Sequence, residues 1–277
     1  MATVQRRPRI MRPEAEPGPA EATRVTHVEV VIPVYNEAHV LEDSVARLYS
    51  FLGEHLPYPY RWQLLVADNA STDGTLAVAK RLAAQLPRLA VLHLDQKGRG
   101  RALRAAWQAS DADVLSYMDV DLSTDLAAFP ALVQAIAEQG YDLATGSRLA
   151  PGAQTTRSFK RELISRTYNL LIKAVLQTCF SDAQCGFKAI SRRAAQTLLP
   201  LVQDNEWFFD TELLVLAEKN GFRIKDIPVR WIEDPDTRVR LGKTIRQDLQ
   251  GLWRLRSHRL PARGGAAQPL RLQERGR

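Results

Sequence analysis

The apolar positions of the chain change period at regular intervals, and those changes mark out alternating strands and helices. HVEVVIPV (27–34) is β-branched and apolar, as expected for a strand buried on both faces. EAHVLEDSVARLYSFLGEH (37–55) then places Val40, Leu41, Val45, Leu48, Phe51 and Leu52 at helical spacing. The pairing recurs as strand 62–68 with helix 75–86, strand 89–94 with helix 100–110, and strand 113–121 with helix 125–139. A fifth strand is predicted at 141–148. Beyond Ala150 the rhythm breaks, leaving a predicted helix over 159–178 and a strand over 223–231 between less regular segments.

Strand–helix units in this succession predict an α/β fold with a Rossmann-like open, mostly parallel sheet and helices on both faces. Ligands of such sheets bind beyond the carboxyl ends of the strands. That rule gathers residues 33–37, 68–73, 95–100 and 119–123 into one cleft.

Composition narrows the class. With 277 residues, 45% apolar and 25% charged, the chain is of ordinary globular make-up and long enough for one large or two small domains. Its two cysteines, Cys179 and Cys185, exclude a disulfide scaffold or a four-thiolate zinc site and are expected to be reduced thiols. The Arg- and Pro-rich N-terminus lacks the apolar core of a secretory signal, and no stretch approaches the ~20 apolar residues of a spanning helix. A channel or transporter is therefore not expected.

Charge is unevenly spread. Residues 238–277 hold eleven Lys or Arg against two acids, residues 1–26 carry a net +2, and the body between them a net −4. The reading is a flexible leader (1–26), a globular body (27–240), a basic amphipathic helix (241–260) and a flexible tail (261–277). The amphipathic segment sets Ile245, Leu249, Leu252 and Trp253 among arginines, and Ile164, Leu170, Leu171 and Val175 form a second apolar stripe. Either suits a helix lying in an anionic membrane interface, and either suits a helix packed on the body. A basic segment also seeks nucleic acid, but the acidic body and the absence of aromatic–basic interleaving argue against that partner.

The cleft lacks the familiar nucleotide devices: no GxGxxG follows the first strand, and there is no P-loop and no G-x-S-x-G elbow. His27, His39, His55, His93 and His258 lack ligand spacing and read as surface or packed residues. What remains at the strand ends is acidic: Asp68, Asp73, Asp119 and Asp121. Asp119-Val-Asp121 puts two carboxylates on one side of a strand end. Such a pair can share a hard cation, Mg²⁺ or Mn²⁺, whose remaining positions suit diphosphate oxygens. Helix capping, the plainer role, is open to Ser123 or Asp125 instead. Lys97 and Arg99, beside Gly98 and Gly100, can approach a diphosphate or stay as solvated loop charges.

The segments VVIPVYNEAHVL, VADNASTDGT, KGRGRALRAAW and YMDVDLST resemble, in order and spacing, the family 2 glycosyltransferases of the nucleotide-diphospho-sugar (GT-A) fold. The resemblance runs from Val28 to about Val239. GSR, SFKRELIS, DAQCGFK and WFFDTELL are most similar to the polyprenyl- and dolichyl-phosphate sugar synthases, and closer to the glucosyl than to the mannosyl branch. It implies a nucleotide-sugar half (27–125) and an acceptor half (126–240). Pro33, Tyr35 and Glu37 would line base and ribose, and Asp68 would meet the base. Asp119 would serve ribose and metal, Asp121 metal and diphosphate, and Lys97 and Arg99 the diphosphate. Asn69 stands where a second Asp is usual, and Ser123 where a Gln is frequent. Arg148, Arg161 and Ser165 match the acceptor-phosphate ligands. Asp210 and Glu212 fall where relatives with hydroxyl acceptors place a base; here either could orient the site or cap a helix.

The implied reaction is a metal-dependent, inverting transfer of a hexose to polyprenyl phosphate, with UDP-glucose as first donor and GDP-mannose as second. A phosphate monoester with a second pKa near ~6 is already an anion at neutral pH and needs positioning more than a base. The expected location is cytoplasmic and peripheral, at the inner face of a membrane, held by anionic lipid or a separate membrane-protein partner. The alternatives are a soluble or glycan hydroxyl acceptor and a catalytically inert scaffold.

Overall fold

The structure, a computed structural model, describes residues 25–156, 158–233 and 241–257. The predicted leader, the tail and the last residues of the predicted C-terminal helix lie outside the described residues. Strands β1 (Thr26–Val34), β2 (Tyr60–Asn69), β3 (Leu89–Leu94) and β4 (Val114–Met118) alternate with helices α1 (Leu41–His55), α2 (Thr75–Gln85) and α3 (Arg99–Ala109). α4 (Phe129–Ala137) then leads to β5 (Leu143–Ser147).

The second half contains β6 (Gln154–Thr156), α5 (Phe159–Leu176), β7 (Phe187–Ser191), α6 (Arg192–Leu198) and α7 (Phe209–Lys219). It ends in β8 (Ile224–Pro228), β9 (Arg230–Ile232) and α8 (Leu241–Ser257). Seven strands form one sheet in the order β3-β2-β1-β4-β7-β5-β8. All neighbours run parallel except β7, which lies antiparallel between β4 and β5. One face of the sheet is covered by α1, α2 and α4, with Leu41, Leu48, Phe129 and Leu132 in its core. The other is covered by α3, α5, α6, α7 and α8, around Leu103, Trp107, Phe208, Phe209 and Leu252.

Several features depart from the sequence expectation. β7 was not anticipated, since FKAIS is short and carries Lys188 inside an apolar run. Nor was α7: every residue from Phe209 to Ala217 is buried, so no polar face marks a helical period. The predicted strand 223–231 is two strands. β8 stays in the main sheet, and β9 turns away to pair with β6.

β4 is also shorter than expected. It stops at Met118, and the chain turns over Asp119–Leu122, closed by Leu122 N–H donating to Asp119 O at 3.2 Å.

α5 and α8 pack against each other. α8 buries Asp248, Gly251, Leu252 and Leu255 and leaves Leu249 and Trp253 in solvent. α5 buries Ser165, Asn169, Ile172 and Leu176 and exposes Leu163, Leu170 and Leu171. The apolar positions that the sequence joins into one stripe per helix are thus divided between body and surface. Among the described residues, no helix is long and apolar enough to cross a membrane.

Candidate active site

The site begins where β1, β2 and β4 end. Asn36, Ala70 and Leu122, one in each following turn, hold left-handed φ angles of 57°, 65° and 49°. Non-glycine residues seldom adopt that region, and it persists only where surroundings enforce it. The enforcing contacts are visible. Asn36 N–H donates to Ser71 Oγ at 2.9 Å, Thr72 N–H to Asn36 Oδ1 at 2.7 Å, and Glu37 N–H to Thr75 Oγ1 at 2.8 Å. Tyr35 and Glu37 are therefore carried on a turn locked to the one after β2. The Lys97 ammonium sits 3.5 Å from the centroid of the Tyr35 ring, joining the third strand-end loop to the first.

Asp68 is fully buried rather than open to the cleft. His93 Nδ1 lies 2.6 Å from its Oδ2, and Ser71 N–H donates to Oδ1 at 3.3 Å. His93 is half-exposed and stands in register with Asp68 on the neighbouring strand. Sequence spacing gave no hint of this pair; only the parallel register of β2 and β3 brings it together. Asn69 donates from Nδ2 to Val34 O at 2.7 Å and accepts from Gly98 N–H at 3.1 Å. That double role needs an amide, because a carboxylate has no N–H to give Val34 O.

Arg99, at the start of α3, is the hub of the cleft. Its Nη1 donates to Asp210 Oδ2 at 2.6 Å and its Nη2 to Asp119 Oδ1 at 2.9 Å. The guanidinium carbon lies 4.8 Å from the Tyr117 ring centroid and 5.1 Å from that of Trp207. The Gly98/Gly100 segment is held in place by close neighbours. A Cβ at Gly98 (φ +153°) would meet Asn205 O at 2.5 Å, and one at Gly100 would meet Phe209 Cβ at 2.6 Å.

Asp210 also accepts from Tyr117 Oη at 2.5 Å, and Lys188 Nζ lies 3.5 Å away. Burial alone would raise its pKa, but Lys188, Arg99 and Tyr117 outweigh it and hold the carboxyl below its ordinary value. Asp210 is thus an ionised anchor for Arg99, with its oxygens already engaged.

Asp119 and Asp121 point away from the core, into which Val120 and Leu122 alternate. Asp119 leans on the backbone of Gly186, where an added Cβ would lie 1.7 Å from Asp119 Oδ2; this accounts for the glycine of DAQCGFK. Asp121 Oδ1 accepts from Ser123 N–H at 2.9 Å. Among the described residues, no three metal-binding side chains converge. Two carboxylates alone fit a Mg²⁺-like ion that draws the rest of its shell from substrate oxygens.

Beyond the end of β5, Arg148 donates from Nε and Nη2 to Asp182 at 2.7 and 3.0 Å, and its backbone N–H to the same carboxylate at 3.1 Å. Although burial opposes ionisation, Arg148 holds the Asp182 carboxyl down at about 2. Arg148 is thus fixed by Asp182, not presented as a free phosphate ligand. Ser165 is buried on α5 with its hydroxyl unpartnered. Arg161 lies in the first turn of α5, and its side chain is outside the described part.

Glu212 differs from the expectation of a base. It is buried, accepts from the N–H groups of Gln203 and Asp204 at 3.1 and 2.7 Å, and pairs with Arg254 of α8 at 2.8 Å. Its position makes it a clamp on the 203–206 loop rather than a group facing substrate. Pro33 is buried within β1.

An open sheet of this order, with charged side chains gathered at its strand ends, is the architecture of a GT-A nucleotide-diphospho-sugar transferase. It is similar to glucosyl-3-phosphoglycerate synthase of Mycobacterium tuberculosis in complex with Mn²⁺, UDP-glucose and phosphoglyceric acid. That match has a TM-score of 0.64 and 20% identity, covering 86% of this chain and 82% of the other. The profile described as Glycosyl transferase family 2 matches residues 29–199. The chain belongs to that family, and it is a glycosyltransferase.

Among curated relatives, the glycosyltransferase AglD of Haloferax volcanii is 41% identical over 247 residues, 87% of this chain and 39% of that protein. This chain thus spans about two fifths of the archaeal protein. The dolichyl-phosphate beta-glucosyltransferase of Saccharomyces cerevisiae is 27% identical over 234 residues, 78% of this chain and 70% of the yeast protein.

Proposed function

We propose that the protein transfers glucose from UDP-glucose to a polyprenyl phosphate, with inversion, at a membrane surface. The observation that carries this reading is the line of charge across the strand ends. From Asp121 and Asp119 it passes through Arg99 to Asp210 and Lys188, and Arg148 with Asp182 continues it toward α5. One end suits a nucleoside diphosphate with its cation; at the other, an acceptor phosphate would have to share Arg148 with Asp182. The relatives named for dolichyl-phosphate glucosylation support the choice of acceptor and sugar.

Asp119 and Asp121 would hold Mg²⁺ or Mn²⁺, which supplies Lewis-acid neutralisation of the leaving diphosphate. Lys97, stacked on Tyr35, and Arg99, anchored by Asp210, bring two further positive charges to the same place. Tyr35 sits on the locked turn where base and ribose would lie, and Asp68, buried at the end of β2 and paired with His93, would shape that end of the cleft from beneath. Asp210 has both carboxylate oxygens engaged, and Glu212 is turned to the 203–206 loop and Arg254, so neither is placed as a base. A phosphate acceptor suits this arrangement, since it arrives ionised.

The exposed Leu163, Leu170, Leu171, Leu249 and Trp253 on the paired helices α5 and α8 give the protein an apolar face. With the neighbouring arginines, that face suits peripheral attachment to the cytoplasmic leaflet beside a separate membrane-protein partner.

The test is transfer of label from radiolabelled UDP-glucose or GDP-mannose, supplied with Mg²⁺ or Mn²⁺, to polyprenyl phosphate or to free sugars. Glucose in the organic-extractable fraction, dependent on the lipid phosphate, is the expected result. Transfer to free sugars alone would replace this reading with a hydroxyl-acceptor enzyme, and preference for GDP-mannose would reassign the donor.

A further inference from the structure

Among the described residues of the cleft, Arg99 is a buried cation whose bonding is incomplete. Two of its nitrogens serve Asp119 and Asp210, yet its Nε is buried without an acceptor. A buried donor left unpaired is costly, and a guanidinium in this state has capacity for one more oxygen. The surroundings fix the backbone beneath it. Gly98 and Gly100 are pressed against Asn205 and Phe209, so a change of partner falls to the side chain. Of Asp119, Oδ1 is covered by Arg99, and Oδ2 lies against Gly186. A cation approaching the Asp119/Asp121 pair therefore meets a carboxylate already neutralised by a cation of the chain itself.

We propose that Arg99 is an internal counter-cation for Asp119, and that it keeps a free divalent metal off the carboxylate pair until a nucleoside diphosphate arrives. The diphosphate oxygens draw the guanidinium away and provide the acceptor that Nε lacks. Asp119 is then released toward the metal, while Asp210, Tyr117 and Trp207 keep Arg99 within reach. Metal and nucleotide consequently bind as a coupled pair, each weakly without the other. This inference rests on the reading of the cleft as a nucleotide-diphosphate site.

The experiment is a titration of the full chain with Mn²⁺, followed by the electron paramagnetic resonance of the free ion, with and without saturating UDP, the Mn²⁺ held by UDP alone being measured without protein and subtracted. Wild type is expected to bind Mn²⁺ at least about tenfold more tightly with UDP present. Arg99→Gln should tighten Mn²⁺ binding in the absence of nucleotide by about tenfold and lower the ratio with and without UDP by a similar factor, leaving the part that direct diphosphate ligation supplies. Arg99→Lys keeps the charge but lacks the planar fork that serves Asp119 and Asp210 from separate nitrogens, and should fall between.

A nucleotide-free Mn²⁺ affinity in Arg99→Gln equal to or weaker than wild type would overturn the proposal. Should that variant fail to fold, an unchanged affinity in Arg99→Lys would do the same. Wild type that binds no UDP, with or without Mn²⁺, would instead contradict the underlying functional reading.

Discussion

At the residue scale, the decisive feature is how few of the cleft's charges stand alone. Arg148 and Asp182 are a buried pair in which the arginine also holds the carboxylate's titration far below neutrality. Removing one partner strands the other's charge away from water, a loss of ~3–5 kcal/mol. Arg148→Ala should therefore unfold at markedly lower denaturant, and Arg148→Ala combined with Asp182→Ala should recover part of the loss. A single variant within ~1 kcal/mol of wild type would show that the pair is not buried as described. The residue types at the strand ends were legible in the sequence because strand–helix alternation alone places them there. Their partners were not. His93 reaches Asp68 through strand register, and Arg99 reaches Asp210 across 111 positions of chain. Asn69, which departs from the usual family pattern, makes sense only once Val34 O is seen opposite its amide.

At the element scale, α8 is the informative case. Its arginines and apolar residues left open a membrane-interface helix or a helix packed on the body, and one side of it is built into the body. A Cβ at Gly251 would fall 2.3 Å from the Phe208 ring, and Arg254 reaches Glu212 at the start of α7. Asp248 is buried on the same side, near Tyr168 and 3.2 Å from Gln184 Nε2, with Oδ1 unpartnered. Burial pushes its carboxyl up to about 7, against the hydrogen bonds from Tyr168 and Gln184 that pull it down. In the unfolded chain an aspartate titrates near ~3.9. Between these values the native state holds a proton that the unfolded state has lost, so this contribution to stability declines as pH rises through the window. Asp248→Asn should remove that decline. Thermal unfolding at pH 5 and pH 8 is the check, with a smaller pH-dependent drop in the variant; identical slopes would mean that Asp248 titrates normally. The early βα units were legible because each alternates cleanly, while α7 and β7 were hidden by burial on every side.

At the scale of the whole molecule, the cleft and the apolar face of α5 and α8 belong to one body, and α7 links them. Its first turn carries Asp210 toward the cleft and Glu212 toward Arg254. Replacing Leu170 and Trp253, both well exposed, by glutamine should leave folding intact. Co-sedimentation with anionic vesicles should fall, and activity on detergent-dispersed lipid should persist. Unchanged sedimentation would exclude this face as the membrane contact. The central claim is that the strand-end cleft moves a sugar from a nucleotide to a lipid phosphate. The most direct measurement compares wild type with Asp121→Asn, each supplied with radiolabelled UDP-glucose and either polyprenyl phosphate or the dephosphorylated alcohol. Lipid-extractable label should form only in wild type with the phosphate, since the substitution removes one of the two charges proposed to hold the metal, at nearly constant volume. Wild-type-like transfer by Asp121→Asn, or equal labelling of the alcohol, would contradict it.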